Sequence, residues 1–212
     1  MSKVLAVMAK TPILGTCKTR LEPLLGVDGA LAAHIELTEQ ALETAARVGA
    51  QHDVEPFLWV TERDAKVEQW AENFSMSLAV QSGDDLGQKM LNVFKQHCED
   101  GADQICLFGT DCPSIGGDYL AMAFDALDHH EVVFGPAEDG GYGLLAMTRP
   151  LTEVFENIPW STDAVLATSI ERLKKKGGSY TLLPQIWDVD EPEDWERYLR
   201  VKRARHSSPA SE

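Results

Sequence analysis

Two acidic segments, far apart along the chain, carry residue types that could hold a metal ion against a phosphate. The first is Gly-Thr-Asp-Cys-Pro at 109–113, which follows the apolar run 105–108. Gly109 ends this predicted strand, and Pro113 prevents a helix from beginning before it. Asp111 is therefore predicted at the carboxyl end of a buried strand, where a carboxylate suits a divalent cation that bridges to a ligand phosphate. The alternative is an aspartate that turns the loop through a backbone hydrogen bond.

The second acidic segment places five carboxylates within the seven residues 188–194. Pro192 in a first helical turn, with Glu193 and Asp194 behind it, explains part of this cluster as the amino end of a helix. Asp188 and Asp190 precede that helix. They therefore remain available for a hard cation such as Mg²⁺ or Mn²⁺.

A loop rich in cations follows the first predicted strand, although the protein as a whole is acidic. Its predicted phosphate-binding residues are Lys10, Gly15, Lys18 and Arg20. Loop amides together with lysine and arginine side chains form phosphate cradles, and a solvated loop with chance charges is the alternative. The loop resembles the end of a P-loop, but that motif needs glycine where Pro12 and Cys17 stand, so a P-loop is rejected.

A polar segment at 81–87 lies between a predicted strand and a predicted helix. Gln81 and the amides near Gly83 could contact the edge of a nucleobase. The alternative is a polar strand end followed by an ordinary helix cap, for which Asp84 and Asp85 are suitable residues. We include Gly87 in the predicted nucleotide-binding set.

The segment Asp139-Gly140-Gly141-Tyr142 forms a predicted turn that leads into another strand. Paired glycines let a ligand approach the backbone closely, and Asp139 can accept from a sugar hydroxyl or order a metal-bound water. A plain hairpin turn is the alternative. Trp160 could line an acceptor pocket or pack in the core.

Strand and helix patterns alternate around these segments. Apolar runs of strand length occupy 3–9, 54–60, 78–80, 105–108, 132–134 and 180–183. Periodicity and capping signals predict helices over 28–48, 61–70, 86–98, 118–129, 149–158, 159–176 and 192–203, with Thr61 and either Ser161 or Thr162 among the caps. We expect one domain over 1–203 and a frayed polar tail over 204–212. The six histidines are expected on the surface or on helix faces.

Composition excludes several classes of partner. The chain of 212 residues carries a formal net charge of -15, which repels nucleic acid and anionic membranes but does not exclude an anionic small substrate. No apolar run is long enough to span a bilayer. The four cysteines have no C-x-x-C spacing, so we expect reduced thiols in a cytoplasmic protein.

Together these segments resemble the nucleotide-diphospho-sugar transferase superfamily. The similarity extends from about Lys3 to Leu199, and it is closest to a bacterial branch labelled glycosyltransferase, related to phospholactate guanylyltransferase and the molybdenum-cofactor guanylyltransferases. The residues that carry it lie at 9–12, 15, 18–21, 81, 85–87, 90, 109–113, 135–142, 160–162, 188–190 and 192–194. Glu191 and Gly143 depart from the pattern.

The resemblance implies a fold and a set of roles. The fold is a three-layer α/β/α sandwich with a mostly parallel sheet and one antiparallel strand. Asp111 and Asp190 take the metal, with Asp188 as a weaker candidate, and the first loop and Gln81 hold the donor. The full expected set is Lys18, Asp111 and Asp139 for catalysis; Lys10, Gly15, Lys18, Arg20, Gln81, Gly83 and Gly87 for the nucleotide and its phosphates; and Gly140, Gly141, Tyr142 and Trp160 for the acceptor.

Two reactions suit such a site, and both need Mg²⁺ or Mn²⁺. The first is glycosyl transfer from a nucleotide sugar to a small acceptor, with Asp139 or Glu138 as base. The second is nucleotidyl transfer from an NTP to a phosphorylated acceptor, in which Lys18 and Arg20 neutralise the departing pyrophosphate. The family label favours the first reaction, and the cationic loop favours the second. A non-catalytic nucleotide sensor is a third hypothesis.

Overall fold

A seven-stranded sheet forms the centre of the computed structural model, which describes residues 1–207, with side chains through Ala204. The strands are β1 Lys3–Ala9, β2 Val54–Val60, β3 Ser77–Val80, β4 Gln104–Gly109, β5 Val132–Pro136, β6 Tyr142–Met147 and β7 Tyr180–Leu182. The helices are α1 Glu22–His52, α2 Ala65–Asn73, α3 Leu86–Glu99, α4 Gly117–Leu127, α5 Val165–Lys175 and α6 Pro192–Ser207. Short 3-10 turns occupy Thr19–Leu21 and Thr152–Val154.

The strand order is β3-β2-β1-β4-β6-β5-β7. Only β6 runs against its neighbours β4 and β5, while the other pairs are parallel. The chain winds outward from β1 to β3 and then crosses to β4 on the other side of β1. Ligands of open α/β sheets bind in the crevice at such a reversal. Met8 of β1 pairs with Gly109 of β4, so the basic loop and the Asp111 loop leave the sheet side by side.

Apolar layers cover both faces of the sheet. On one face, α1, α2 and α4 pack through residues such as Leu42, Trp70 and Leu120; on the other, α3 and α5 pack through Phe94 and Leu173. β1 is covered on both sides, which explains its uninterrupted apolar run. The predicted three-layer α/β/α sandwich with a mostly parallel sheet is confirmed.

A third apolar cluster joins the basic loop to the acidic segment near the end of the chain. Leu21 packs with Val189, Trp195 and Tyr198 and with the alanine-rich face of α1. This cluster brings the 18–21 turn and the 188–190 segment together, although about 170 residues separate them in the sequence. Burial of apolar side chains therefore sets the position of the polar groups on either side of Leu21.

Three predicted helix starts are wrong. Helix α1 begins at Glu22, with Pro23 in its first turn and a kink at Gly26, where φ is 70°. Thr61 does not cap α2; its hydroxyl accepts from the amide of Thr11, and Asp64 caps the helix instead. Helix α5 begins at Val165 and not at 159, and the predicted helix over 149–158 is reduced to a 3-10 turn.

At the end of the chain, α6 continues to Ser207. It therefore includes positions 204–207 of the predicted tail, and 208–212 lie outside the described residues. All four cysteines are free thiols, as predicted. None of the helices within the described part of the chain is long and apolar enough to cross a membrane.

Candidate active site

A cavity of about 730 Å³ opens at the carboxyl ends of β1 and β4, beside the switch in strand order. The basic loop, the start of α3, the Asp111 loop, the β5–β6 hairpin and the 188–190 segment line it. The predicted residues that it brings together are Lys10, Lys18, Arg20, Gln81, Asp111, Asp139, Tyr142, Asp188 and Asp190. A groove of about 830 Å³ between α1, α6 and 113–116 contains none of them. We therefore take the smaller cavity as the candidate site.

Lys18 lies at the centre of the charged groups. Its ammonium is 2.7 Å from Asp111 Oδ1 and 3.6 Å from Asp190 Oδ1, and it also donates to the carbonyl of Val189. The side chain is 4% exposed, against 50% for Asp111 and 45% for Asp190. Lys18 has a left-handed backbone, with φ 50° and ψ 39°. Such a conformation is strained for lysine and concentrates at functional sites.

Backbone and side-chain bonds fix the second acidic segment against the first. The amide of Val189 donates to the carbonyl of Asp111 at 2.9 Å. Arg20 donates to Asp190 Oδ2 at 2.8 Å and lies 3.3 Å from Glu191. The two aspartates therefore converge on the Lys18 ammonium at the rim of the sheet.

The two aspartates could hold a hard divalent cation, and a bound ligand would then complete its coordination. Both are half-exposed carboxylates facing one cavity, and oxygen donors of this kind are what Mg²⁺ and Mn²⁺ prefer. Among the residues that the structure describes, no three His, Cys, Asp or Glu side chains are arranged to hold a metal. The protein alone therefore offers an incomplete set, as at many magnesium sites that also use substrate phosphates.

Asp188 occupies a more enclosed position in the same cavity. Its burial, reinforced by the charges of Asp139 and Asp190, raises its pKa to about 6. The structure gives Asp188 no bond to Lys18 of the kind that holds the other two aspartates. A bound cation would lower this pKa again, so it does not exclude Asp188 as a ligand. Asp111 and Asp190 are the better pair because both already face one cation, the Lys18 ammonium.

The β5–β6 hairpin supplies one exposed carboxylate to the cavity. Asp139 Oδ1 accepts from the amide of Gly141 at 2.9 Å, which orients the side chain. Glu138 lies next to it but forms two hydrogen bonds with Arg197, and it does not line the cavity. Arg197 lowers the pKa of Glu138. Of the two carboxylates predicted as possible bases, only Asp139 faces the site.

The donor-side residues differ in how they are held. Gln81 donates through its side-chain amide to the carbonyls of Ala9 and Trp59, which ties the start of the 81–87 segment to β1 and β2. Lys10 folds back onto the carbonyl of Thr16. Gly15, with φ 72°, permits the turn between them but does not itself line the cavity.

Several predicted site residues serve the packing of the cavity walls instead of facing the cavity. A Cβ on Gly87 would lie 2.5 Å from the Trp160 indole, and one on Gly83 would lie 2.8 Å from Gln88. One on Gly140 would lie 2.3 Å from the Asp163 carbonyl.

Neither these glycines nor Gly141 or Trp160 line the cavity. Trp160 packs against the core, the alternative considered for it above.

Tyr142 lines the cavity with its ring, and its hydroxyl is buried. Burial raises its pKa, and the ring packs edge-on against Phe134. The next residue, Gly143, leaves room for Cys112, whose Sγ would be 2.4 Å from a Cβ at 143. Burial also raises the pKa of the Cys112 thiol, reinforced by the nearby Asp111 charge, and this favours the protonated thiol.

Two nitrogen-bearing side chains of the cavity, His34 and Lys89, were not among the predicted site residues. His34 is 4% exposed, and its Nε2 pairs with the carbonyl of Lys10 at 2.8 Å. Burial lowers its pKa, which favours the neutral ring, and the ring holds the start of the basic loop through this hydrogen bond. His34 and His97 lie on faces of α1 and α3, within the expectation of surface or helix-face histidines, but both of these faces are buried, and His97 is 2% exposed. Lys89, in the first turns of α3, also lines the cavity.

The cavity is electrically balanced despite the acidic surface of the molecule. Its basic side chains are Lys10, Lys18, Arg20 and Lys89, and its acidic side chains are Asp111, Asp139, Asp188 and Asp190. A divalent cation would therefore make it positive and suited to an anionic ligand.

Several solved structures are similar in fold to this chain. A protein from Desulfovibrio desulfuricans G20, provisionally assigned as a nucleotide-diphospho-sugar transferase, has 25% sequence identity and a TM-score of 0.83, over 96% of this chain and 89% of that one. The inositol-1-phosphate CTP transferase from T. maritima matches with 14% identity and a TM-score of 0.60, over 99% and 98%. A cytidylyltransferase from Leptospira borgpetersenii serovar Hardjo-bovis (strain JB197) matches with 19% identity and a TM-score of 0.60, over 93% and 85%.

The similarity to the D. desulfuricans protein confirms the predicted superfamily and the predicted enzyme class, transferase, and the other two structures share the fold. No curated protein matches the sequence. A family model matches residues 44–162, more than half of the chain, and its description is "Uncharacterized protein conserved in bacteria (DUF2064)". The chain belongs to the DUF2064 family.

Proposed function

We propose that this protein transfers a glycosyl group from a nucleoside-diphosphate sugar to an uncharged small acceptor, with Mg²⁺ or Mn²⁺. The observation that carries the proposal is the convergence of Asp111 and Asp190 on Lys18 at the switch point of the sheet. Carboxylates for a cation and a buried lysine for phosphates are the groups that a diphosphate leaving group needs. The similarity to the D. desulfuricans protein supports the same class.

Charge balance favours a nucleotide sugar over a triphosphate. The four basic and four acidic side chains of the cavity cancel, so one divalent cation leaves about two positive charges. The diphosphate of a nucleotide sugar carries about two negative charges, which matches this excess. A triphosphate together with a phosphorylated acceptor would leave a surplus of negative charge. The cations of the first loop alone favoured the triphosphate, but the aspartates that face them remove this argument.

Each side chain then has a role. Asp111 and Asp190 would hold the cation, which when bound would neutralise charge on the leaving diphosphate. Lys18 and Arg20 would bind the diphosphate oxygens, with Lys10 farther out. Gln81 would face the nucleoside, and Asp139, Tyr142 and Gly143 would face the acceptor.

Asp139 is the proposed base, because it is an exposed carboxylate oriented by Gly141 within the cavity. It would take the proton from the acceptor hydroxyl as that oxygen bonds to the anomeric carbon of the sugar. The bond from that carbon to the diphosphate breaks in the same step, and the nucleoside diphosphate leaves with the electron pair.

Nucleotidyl transfer is the second candidate. Two of the solved structures with this fold are CTP transferases or cytidylyltransferases by name. Lys18 and Arg20 would then stabilise departing pyrophosphate while an acceptor phosphate attacks the α-phosphorus.

Product analysis separates the two reactions. The enzyme is incubated with Mn²⁺, an acceptor panel, and either nucleotide sugars or NTPs. Glycosyl transfer gives free nucleoside diphosphate and a glycosylated acceptor, whereas nucleotidyl transfer gives pyrophosphate. Pyrophosphate release from NTPs without nucleoside diphosphate release from nucleotide sugars would overturn the glycosyl proposal. Tight nucleotide binding with neither product would identify a sensor.

A further inference from the structure

The Lys18 ammonium occupies the position that a shared cation would take between the two aspartates. Its nitrogen is 2.7 Å from Oδ1 of Asp111 and 3.6 Å from Oδ1 of Asp190. The other oxygen of Asp190 is bound by Arg20. The Oδ1 atoms of both aspartates therefore face the lysine.

We propose that Lys18 and the divalent cation exchange: the ammonium holds the aspartate pair until donor phosphates draw it away, and the cation then takes its place. This inference rests on the proposed function. It adds that the Lys18 ammonium itself opposes metal binding until nucleotide is present, beyond the coupling that a phosphate ligand of the metal supplies directly.

Both cations cannot keep this position at once. Mg²⁺ binds carboxylate oxygens at about 2.0–2.1 Å, inside the gap that the ammonium now fills. At that separation the two positive charges would repel each other strongly, since Lys18 is almost completely buried. The ammonium must therefore move when the metal binds.

Phosphate binding would favour movement of the Lys18 ammonium, and the cavity leaves space for that movement. Its third partner, the carbonyl of Val189, is uncharged, so a phosphate offers a stronger interaction than the one that it would lose. Asp111 is half-exposed on the cavity side, which leaves space for phosphates next to the ammonium. The four-carbon stem of lysine can reorient while the backbone of residue 18 stays in place.

The exchange has a thermodynamic consequence that can be measured without turnover. If nucleotide removes the competing ammonium, nucleotide must strengthen metal binding, and by linkage metal must strengthen nucleotide binding by the same factor. Removal of the ammonium by mutation should strengthen metal binding in the absence of nucleotide.

The test is Mn²⁺ affinity, measured by calorimetry or by the electron paramagnetic resonance of free Mn²⁺. Wild type, Lys18→Met and Lys89→Met are compared without nucleotide. Lys89→Met is the matched control, because it removes the same charge from the same cavity but not from between the aspartates. We expect Lys18→Met to bind Mn²⁺ about tenfold more tightly than wild type, and Lys89→Met to stay within about threefold.

The wild-type protein provides an independent measurement that does not depend on whether Lys18→Met folds. A nucleoside diphosphate at saturation should strengthen its Mn²⁺ binding by about tenfold or more. Asp111→Asn identifies the relevant site, because the Mn²⁺ signal should be lost in that variant.

Two results would overturn the exchange: Mn²⁺ affinity of Lys18→Met no higher than that of Lys89→Met, or wild-type affinity unchanged by nucleotide. Failure of the proposed function is seen separately, in the product analysis of the wild-type enzyme. A protein that releases nucleoside diphosphate from nucleotide sugars but shows no coupling would keep the function and lose the exchange. Absence of any Mn²⁺ site sensitive to Asp111→Asn would overturn both the exchange and the metal dependence.

Discussion

Asp111 contributes a charged oxygen to the site and is also the nearest charged partner of the buried Lys18 ammonium. Its side chain is half-exposed, and its charged partner is Lys18. The neighbouring bond from Val189 goes to its backbone carbonyl, which any residue at this position would provide. A substitution at Asp111 therefore keeps this backbone bond but weakens the pairing of Lys18, so stability has to be measured beside turnover.

We expect Asp111→Asn to lower turnover by about a hundredfold or more, since a metal-binding carboxylate supports several kcal/mol of charge stabilisation. Turnover is measured as nucleoside diphosphate release, with thermal unfolding as the check on folding. Glu138→Gln is the matched control, because Glu138 pairs with Arg197 outside the cavity. Its rate should stay near that of wild type. A rate for Asp111→Asn equal to that of the control would remove Asp111 from the mechanism.

Some of the residues that face the cavity could be predicted from their types. A site was expected at Asp111, Asp190, Lys18 and Arg20 because these charged residues lie in loops that follow a strand or precede a helix. Their meeting was not predictable from local patterns, because it depends on Leu21 packing with Val189 and Trp195 across the chain. His34 was missed because the face that α1 buries next to it consists of small residues, Ala30 and Ala33, which give a weak apolar period in the sequence.

At the scale of elements, strands were predicted more accurately than helix starts. Buried parallel strands show as apolar runs, and β1 and β2 have the predicted bounds. Helix starts depend on which of several possible caps is free. Thr61 is engaged by Thr11, so Asp64 caps α2, and Ser161 lies in a left-handed turn with φ 63° before α5 begins. These partners are tertiary, and the local sequence does not contain them.

The contact between α3 and the segment before α5 gives a prediction about stability. Alanine at Gly87 would place its Cβ 2.5 Å from the Trp160 indole. We expect Gly87→Ala to lower the free energy of unfolding by about 1–3 kcal/mol, measured by chemical denaturation. Gly117→Ala in the first turn of α4 is the control, since its Cβ would meet Val48 at an ordinary 3.6 Å.

A double-mutant cycle tests the cause. In a Trp160→Leu background the clash is removed, and Gly87→Ala should become neutral or stabilising by up to about 1 kcal/mol through helix propensity. The same loss of stability in both backgrounds would show that Trp160 is not what glycine at 87 accommodates.

The contact between α3 and β2 gives a prediction about pH. Trp59 Nε1 donates to Nε2 of His97 at 3.1 Å, which requires the neutral ring, and Phe57 packs edge-on against the same ring. Burial lowers the pKa of His97, while the nearby Asp100 acts in the opposite direction. The unfolded chain therefore binds a proton first as pH falls through about 6.5, so stability decreases on acidification.

We expect His97→Gln to make that decrease shallower between pH 7 and pH 5, because glutamine can accept from Trp59 without titrating. The measurement is the free energy of unfolding at a series of pH values. His34 also has a pKa lowered by burial, so part of the slope should remain. A slope identical to that of wild type would mean that His97 titrates alike in the folded and unfolded chains.

At the scale of the whole molecule, an acidic protein has a local site that can accept an anion. The formal net charge is -15, yet the basic and acidic side chains of the cavity are equal in number. A divalent cation would reverse the local potential without changing the surface elsewhere. The balance explains how a strongly acidic enzyme could bind a diphosphate selectively while repelling polyanions.

The central claim is that Asp111 and Asp190 form one cation site beside Lys18 that is completed by a donor diphosphate. The most direct test is a crystal structure with Mn²⁺ and a nucleoside diphosphate, in which anomalous scattering locates the metal. We predict a peak about 2.2 Å from oxygens of both aspartates and of the diphosphate, with the Lys18 ammonium moved onto a phosphate oxygen. A bound nucleotide with the manganese elsewhere, or with Lys18 still between the aspartates, would contradict the account.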